Sequence, residues 1–352
     1  MSDTKQNIIK TISKTPLPAM FKPFYGGLGS ILFMHKVVAS KDPNKIRIPL
    51  NDANEVSISY LEELILYFKK KGYDIISLED LPKRLNHASK DAKKFVIFTF
   101  DDGYKDNLTL AYPIFKKHQV PMTVYITNCF PNHSAKLWWY LLEDLVMEQE
   151  EISVEIANRK QTYSLSSFSQ KEAAFHELRE LFIGLSPEKQ NKVIDALAQA
   201  YGKDLQQYVK TESLSWTEIK ELSKDPLVTL GAHTLNHVTL NTLSKEDFYH
   251  ETLESKKEIS EKIGKEVRHF AYPFGTSKEV NKREVEWLGK SEAFTTATTT
   301  RIGNIFPKHK NHLWALPRIQ VLGTWEGTQI LEAYISGVVP ALKNKFKKVV
   351  TL

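Results

Sequence analysis

The stretch Val96–Tyr104, Val-Ile-Phe-Thr-Phe-Asp-Asp-Gly-Tyr, decides how the rest of the chain reads. It opens as an apolar, β-prone run without polar alternation, which predicts a strand buried on both faces. The run stops on two adjacent carboxylates, so Asp101 and Asp102 stand at the mouth of the fold. Neighbouring acids need not share one job: one can bind a metal while the other stays free as a base. Gly103 lets the backbone turn sharply straight after them. A solvated, inert Asp-Asp-Gly turn would show the same tripeptide, so the context has to decide.

Outward from this stretch the chain alternates strand and helix. Ile31–Val37 predicts a first buried strand carrying His35, and Tyr60–Lys70 has helical periodicity. Ile75–Ser77, Lys94–Phe100 and Met122–Thr127 read as strands, with a helix over Leu108–His118. After residue 213 the pattern resumes. A helix is expected at Trp216–Lys224, a strand at Val228–Ala232 and a charged helix at Lys245–Ile263. Further strands fall at His269–Tyr272, Ala293–Thr298 and Leu316–Val321, with helices at Glu279–Lys290 and Gly327–Ser336. Such alternation predicts parallel strands with helical crossovers. Residues 131–213 interrupt it with Leu137-Trp138-Trp139-Tyr140, a polar strand-like patch and two helical patterns, and read as a largely helical insertion over the open face. Residues 1–29 read as a polar extension broken by Pro and Gly, and 337–352 as a basic tail.

Two other strand ends carry chemistry. Val228–His237 ends in His233-Thr-Leu-Asn-His237; if the chain turns helical there, both imidazoles share one face, a spacing suited to one metal. Phe270–Gly275, Phe-Ala-Tyr-Pro-Phe-Gly, closes a third strand with a Pro/Gly turn. Thr-Phe-Asp-Asp-Gly, His-Thr-x-x-His and Tyr-Pro-Phe-Gly in this order resemble the polysaccharide deacetylase family, the NodB-homology or carbohydrate esterase family 4 group, over roughly residues 30–336. The resemblance implies an α/β fold, a distorted (β/α) barrel of about seven strands. It also implies one divalent ion, with zinc expected, held by Asp102, His233 and His237, with Asp101 as base and the Phe274 N–H as oxyanion donor. That ligand set leaves coordination positions open, as catalytic sites do. Tyr272 is expected to wall the groove.

The chain departs from the family pattern in two places. The Leu-x-His that supplies the acid in many relatives has no counterpart strand here, since His309 and His312 fall in a polar stretch. His35 at the end of the first strand resembles instead the permuted arrangement of poly-N-acetylglucosamine deacetylases, preceded here by Met34; a core histidine bonded to backbone is the alternative. Many relatives hold the base with an Arg where this chain has Ala271; Arg318 on the last strand can reach the same place, or lie at the surface. Trp138 and Trp139 stack on sugar rings or belong to a core, and the sequence leaves both open.

With 352 residues and 41% hydrophobic side chains, the chain can bury a full core. A net charge of +6 gives little support for nucleic acid, and leaves acidic lipid or a phosphate-bearing substrate open. A single cysteine, Cys129, excludes an internal disulfide. Met1–Lys22 shows no long apolar run, so a cytoplasmic setting is expected. The functional expectation is a metal-dependent hydrolase removing N-acetyl groups from an amino sugar in a glycan or glycolipid precursor, possible substrates being lipid- or nucleotide-linked. The alternatives are another amide or O-acetyl ester hydrolase on the same site, or a non-catalytic glycan-binding module. Lysines 343, 345, 347 and 348 around Phe346 raise the expectation of weak peripheral membrane contact.

Overall fold

The structure is a computed structural model and describes residues 3–42, 44–87, 92–156, 159–325 and 327–351. Two helices, α1 (Asp3–Ser13) and α2 (Leu17–Tyr25), lead into a closed barrel of parallel strands. The strands are β1 (Gly29–Met34), β2 (Phe95–Phe100), β3 (Met122–Ile126), β4 (Val228–Ala232), β5 (His269–Ala271), β6 (Thr296–Ile302) and β7 (Leu316–Gln320). Each pairs with the next in sequence, and β7 and β2 both pair with β1, which closes the seam. This is the seven-stranded α/β barrel that the sequence predicts. The short strand Asp74–Ile75 pairs with the start of β2, on the edge that β3 takes further along.

Side chains alternate across each strand. Ile31, Phe95, Ile97, Tyr125, Ala271 and Leu316 fill the interior, while Leu32, Val96, Phe98, Val124 and Phe270 pack outward under the helices. At Gly231 an added Cβ would stand 2.4 Å from the Tyr125 ring, so only glycine lets that tyrosine lie across the barrel. The register sets the mouth. Met34 is level with Phe100, and Ala232 is level with both Ile126 and Phe270. The next residues along, His35 beside Asp101 and His233 beside Ala271, all stand at the mouth; since Phe100 is level with Val124, the second pair lies two residues further along the strands than the first.

Between β3 and β4 lie α3 (Trp138–Glu148), the hairpin Glu151–Ile156/Arg159–Ser164, α4 (Phe168–Ile183), α5 (Pro187–Ala200) and α6 (Leu205–Glu212). They build a core of their own, with Leu141, Leu145, Phe175, Leu178 and Ile194 at its centre and Ile48 reaching in from the barrel side. Arg47 pairs with Glu143 of α3 and with Glu55, and Glu143 also accepts from the Ile48 N–H. These bonds hold the insertion over the mouth.

Four local expectations need correction. β1 stops at Met34, so His35 is the first residue beyond the strand rather than inside it. The helix over 108–118 begins with a wider turn at Asn107–Ala111. The N-terminal extension is a packed part of the fold: α1 packs on α7 (Gln329–Ile335), and Ile9 is buried. The C-terminal segment is not a free tail, because α8 (Val338–Lys343) buries Val338, Val339, Pro340 and Ala341 against α2 and α7, and Val350 is buried too.

His309 helps to hold that end. It is fully buried: its Nδ1 accepts from the Phe306 N–H at 2.9 Å and its Nε2 donates to the Val350 carbonyl at 3.2 Å. Both nitrogens are engaged as a neutral ring, and burial pushes the imidazole down to about 4 from 6.5. As pH falls through this window the unfolded chain takes up a proton that the native chain refuses, so stability should drop by up to about 3 kcal/mol. Urea midpoints taken across the window should fall in the native chain and fall less in His309→Gln; parallel curves would remove His309 as the cause.

Candidate active site

Asp101 is buried at the end of β2, and its backbone N–H is tied to the Met34 carbonyl at 3.0 Å. Two residues along from Thr99, its side chain points to the barrel interior. There Arg318, fully buried on β7, meets it with a planar fork: Nη1 donates to Oδ1 and Nη2 to Oδ2, each at 2.7 Å. The guanidinium also donates to Thr99 Oγ1 and to the Thr299 carbonyl, and lies 4.4 Å over the Phe33 ring. Burial alone would raise the Asp101 carboxyl; the Arg318 fork outweighs it and holds the group below the usual carboxylate range.

Asp102 turns the other way. Its φ is +76° and that of Gly103 is +86°, a kink that separates the two acids. Asp102 Oδ1 lies 3.3 Å from His233 Nε2 and 3.3 Å from His237 Nε2. His233 comes from the end of β4, where its N–H bonds the Ile126 carbonyl. Its Nδ1 donates to the Ala271 carbonyl at 2.7 Å, so in the neutral ring Nε2 presents a lone pair to the carboxylate. His237 reaches the same point without a helix, correcting the helical reading of the spacing. Residues 233–239 form a loop, with Thr234 at φ +68° and His237 at φ +52°. Glu251 pins this loop by accepting from the Asn236 N–H and side-chain amide at 3.0 and 2.7 Å.

These three side chains fit a divalent ion. Asp102 Oδ1 is buried with no hydrogen-bond partner among the described residues, while a nitrogen lone pair faces it. That contact is repulsive unless a cation lies between the atoms. Tetrahedral ligands about 2.0 Å from a metal stand roughly 3.3 Å apart, which matches both separations. The group Asp102, His233 and His237 can hold a metal; its donors are borderline nitrogen and hard oxygen.

His35 opens onto the same cleft. Its buried Nδ1 has no partner among the described residues, and its carbonyl accepts from the Asn107 amide at 2.9 Å. Burial pushes the imidazole below its ordinary value, while Asp102 and Asp101 pull the other way. Phe274 has φ +59°, and its ring meets His237 at 4.9 Å. Its N–H donates to no group among the described residues.

The aromatic expectations divide. Trp139 lines the cleft, 5.5 Å from the His237 ring, and its Nε1 donates to the Tyr104 hydroxyl. Trp138 also lines the cleft but is buried against Phe182. Tyr272 does not wall the groove. It is fully buried on the outer side of β5 and donates to the Trp314 carbonyl, because Ala271 takes the inward position. His309 lies in its own buried turn and does not line the cleft. The sequence reading missed Lys36, which lines the cleft, pairs with Glu212 of α6 and sits over the Tyr104 and Tyr140 rings. It also missed Arg179 of α4, which lines the cleft as well and donates to Glu180. The one available signal was for Lys36, which follows His35 directly at a strand end.

A family model for polysaccharide deacetylase matches residues 88–182 and 184–292, more than half of the chain. The chain therefore belongs to the polysaccharide deacetylase family, a class of hydrolases acting on the amide bonds of acetylated sugars. A Bacillus subtilis (strain 168) protein, YxkH, which carries a polysaccharide-deacetylase name, is 28% identical over 125 residues. That match spans 36% of this chain and 40% of the relative's length. Among solved structures, the Streptococcus pyogenes deacetylase PplD in complex with acetate superposes with a TM-score of 0.56 at 18% identity, over 87% of this chain and 97% of that one. IcaB from Ammonifex degensii gives 0.53 at 16% identity, over 87% and 96%. A de-N-acetylase from Aggregatibacter actinomycetemcomitans gives 0.52 at 16% identity, over 86% and 98%. At these identities the likeness is one of fold.

The fork generates a stability prediction. Arg318→Met leaves a buried carboxylate without a counter-charge, and should cost about 3–5 kcal/mol. Adding Asp101→Asn removes the stranded charge and should return much of that loss. Urea unfolding of the two single variants and the double variant checks this; additive losses would mean that the two side chains are not coupled.

Proposed function

We propose that the chain is a metal-dependent de-N-acetylase acting on an N-acetylated amino sugar of a glycan or glycolipid precursor, with zinc as the ion. One observation carries the reading: in a single cleft a carboxylate held charged by Arg318 lies beside an Asp-His-His group suited to a metal. A divalent ion held there would supply Lewis acidity to the amide carbonyl and would lower the pKa of water from about 15.7 toward about 7.

The chain's own residues supply the rest. Asp102, His233 and His237 would hold the ion. Asp101 takes the proton of the attacking water; the fork keeps it ionised and fixes its plane, which suits a base whose water is already acidified. The Phe274 N–H donates to the oxygen that gains charge, and one such donor is worth roughly 3 kcal/mol. His35 gives a proton to the departing amine nitrogen. The Trp139 face beside His237 offers a platform for a sugar ring. An acid placed for the leaving group favours amides over O-acetyl esters, whose alkoxide leaves more readily.

Acetate release should be measured on nucleotide-, lipid- and polymer-linked N-acetylhexosamines, with O-acetyl esters for comparison. Release should stop in chelator and return with zinc. A fully active chelated protein, or no acetate from any member of the panel, would reject the reading. Asp101→Asn should keep its metal content and fold yet lose turnover by at least ~10²-fold; a near-normal rate would remove Asp101 as base. His35→Ala should slow amides with poor leaving groups most, and an equal loss across leaving groups would assign it to packing instead.

A further inference from the structure

The excess positive charge of this chain is confined to its two ends. Residues 1–25 hold four lysines against Asp3, and residues 337–352 hold four lysines and no acid. These segments carry a net +7 between them, so the intervening residues net −1 within the total of +6. The fold brings the two ends together. α8 packs on α2 and α7, and α1 on α2 and α7. The Tyr25 and Phe346 rings meet at 6.1 Å, and the Lys348 ammonium lies 5.1 Å over Tyr25.

The same two segments gather exposed apolar side chains. Nine large hydrophobic residues are exposed among those described, and five of them, Ile8, Met20, Phe24, Leu342 and Phe346, belong to these ends. Phe24, next to Tyr25 in the chain, is 65% exposed, and Phe346, whose ring meets Tyr25, is 54% exposed. A core-forming segment would bury such rings, and a merely solvated basic face would not carry them. Cationic and apolar groups on one face suit an anionic lipid interface, where rings enter the headgroup layer while lysines meet its charge.

We infer that the face formed by α1, α2 and the segment from α8 to Val350 docks the protein on an anionic lipid bilayer. The face lies where the barrel strands begin: α2 leads straight into β1, and Gly337 sits against the Tyr25 carbonyl. The cleft lies at the other end of the strands, so the docked chain turns its mouth toward water. This inference does not rest on the deacetylase reading.

The test is sedimentation of the full chain with vesicles of phosphatidylcholine alone and of equimolar phosphatidylcholine and phosphatidylglycerol, at low and high salt. The chain should pellet with the anionic vesicles at low salt and be released by high salt, as screening requires. Phe24→Ser with Phe346→Ser should weaken binding at least ~10-fold, the scale of burying two rings. Lys345→Gln with Lys348→Gln should weaken it roughly 30-fold at low salt. Both variant pairs should remain folded at the assay temperature, with a single cooperative melt well above it, which separates lost docking from lost folding. Equal pelleting with neutral and anionic vesicles would overturn the inference, as would binding untouched by both variant pairs. No pelleting at low salt would also overturn it, and capture by an acidic protein would then be the remaining use of the charge.

Discussion

The mouth of this barrel depends on one buried ion pair, the fork of Arg318 on Asp101. Taking the two charges out of water costs several kcal/mol for each, and only close, bidentate geometry offsets that cost. The geometry is available because of the closing seam. Arg318 leaves β7 and passes over the Phe33 ring of β1 to the end of β2, so a single side chain spans the three strands that shut the barrel. Thr99 and the Thr299 carbonyl take two of its remaining donors. The pair thus sets the charge state of Asp101, fixes the plane of its carboxyl and stitches the seam at the level where the chemistry occurs.

The second constraint is backbone strain. Asp102, Thr234, His237 and Phe274 all adopt positive φ, and all belong to the cleft or to the loop that builds it. Such conformations cost of order 1–3 kcal/mol each for non-glycine residues and persist only where the surroundings impose them. Here the impositions are visible. The Asp102 kink sends one acid to Arg318 and the next to the histidines. The histidine loop is held by Glu251 and by bonds from Thr127 and Asn128 to the Thr234 carbonyl. Gly103 is clamped in turn by the Leu214 N–H, at the point where the insertion rejoins the barrel.

What could be read in the sequence follows from which forces are local. Continuous apolar runs ending on polar residues mark parallel strands and their mouths, so β2, β3 and β4 and the acids and histidines at their ends were legible. The His-x-x-x-His spacing was right for convergence and wrong for its cause, because an i, i+4 separation does not distinguish a helical face from a strained loop. Tyr272 was misplaced because β5 is three residues long, too short to show which side faces inward. The pairs Lys36–Glu212 and Arg47–Glu143, separated by 176 and 96 residues, leave no trace in sequence at all. The ends read only as an extension and a tail for the same reason: α1, α2 and α8 are packed on one another and on α7.

The central claim is that two neighbouring carboxylates are divided between a metal and an arginine. Anomalous diffraction at the zinc edge, on crystals of the zinc-loaded protein, tests it most directly. The account predicts one peak per chain, bounded by Asp102 Oδ1, His233 Nε2 and His237 Nε2, with Asp101 still on Arg318 and outside the coordination sphere. A peak ligated by Asp101, or zinc bound elsewhere while this group stays empty, would contradict it.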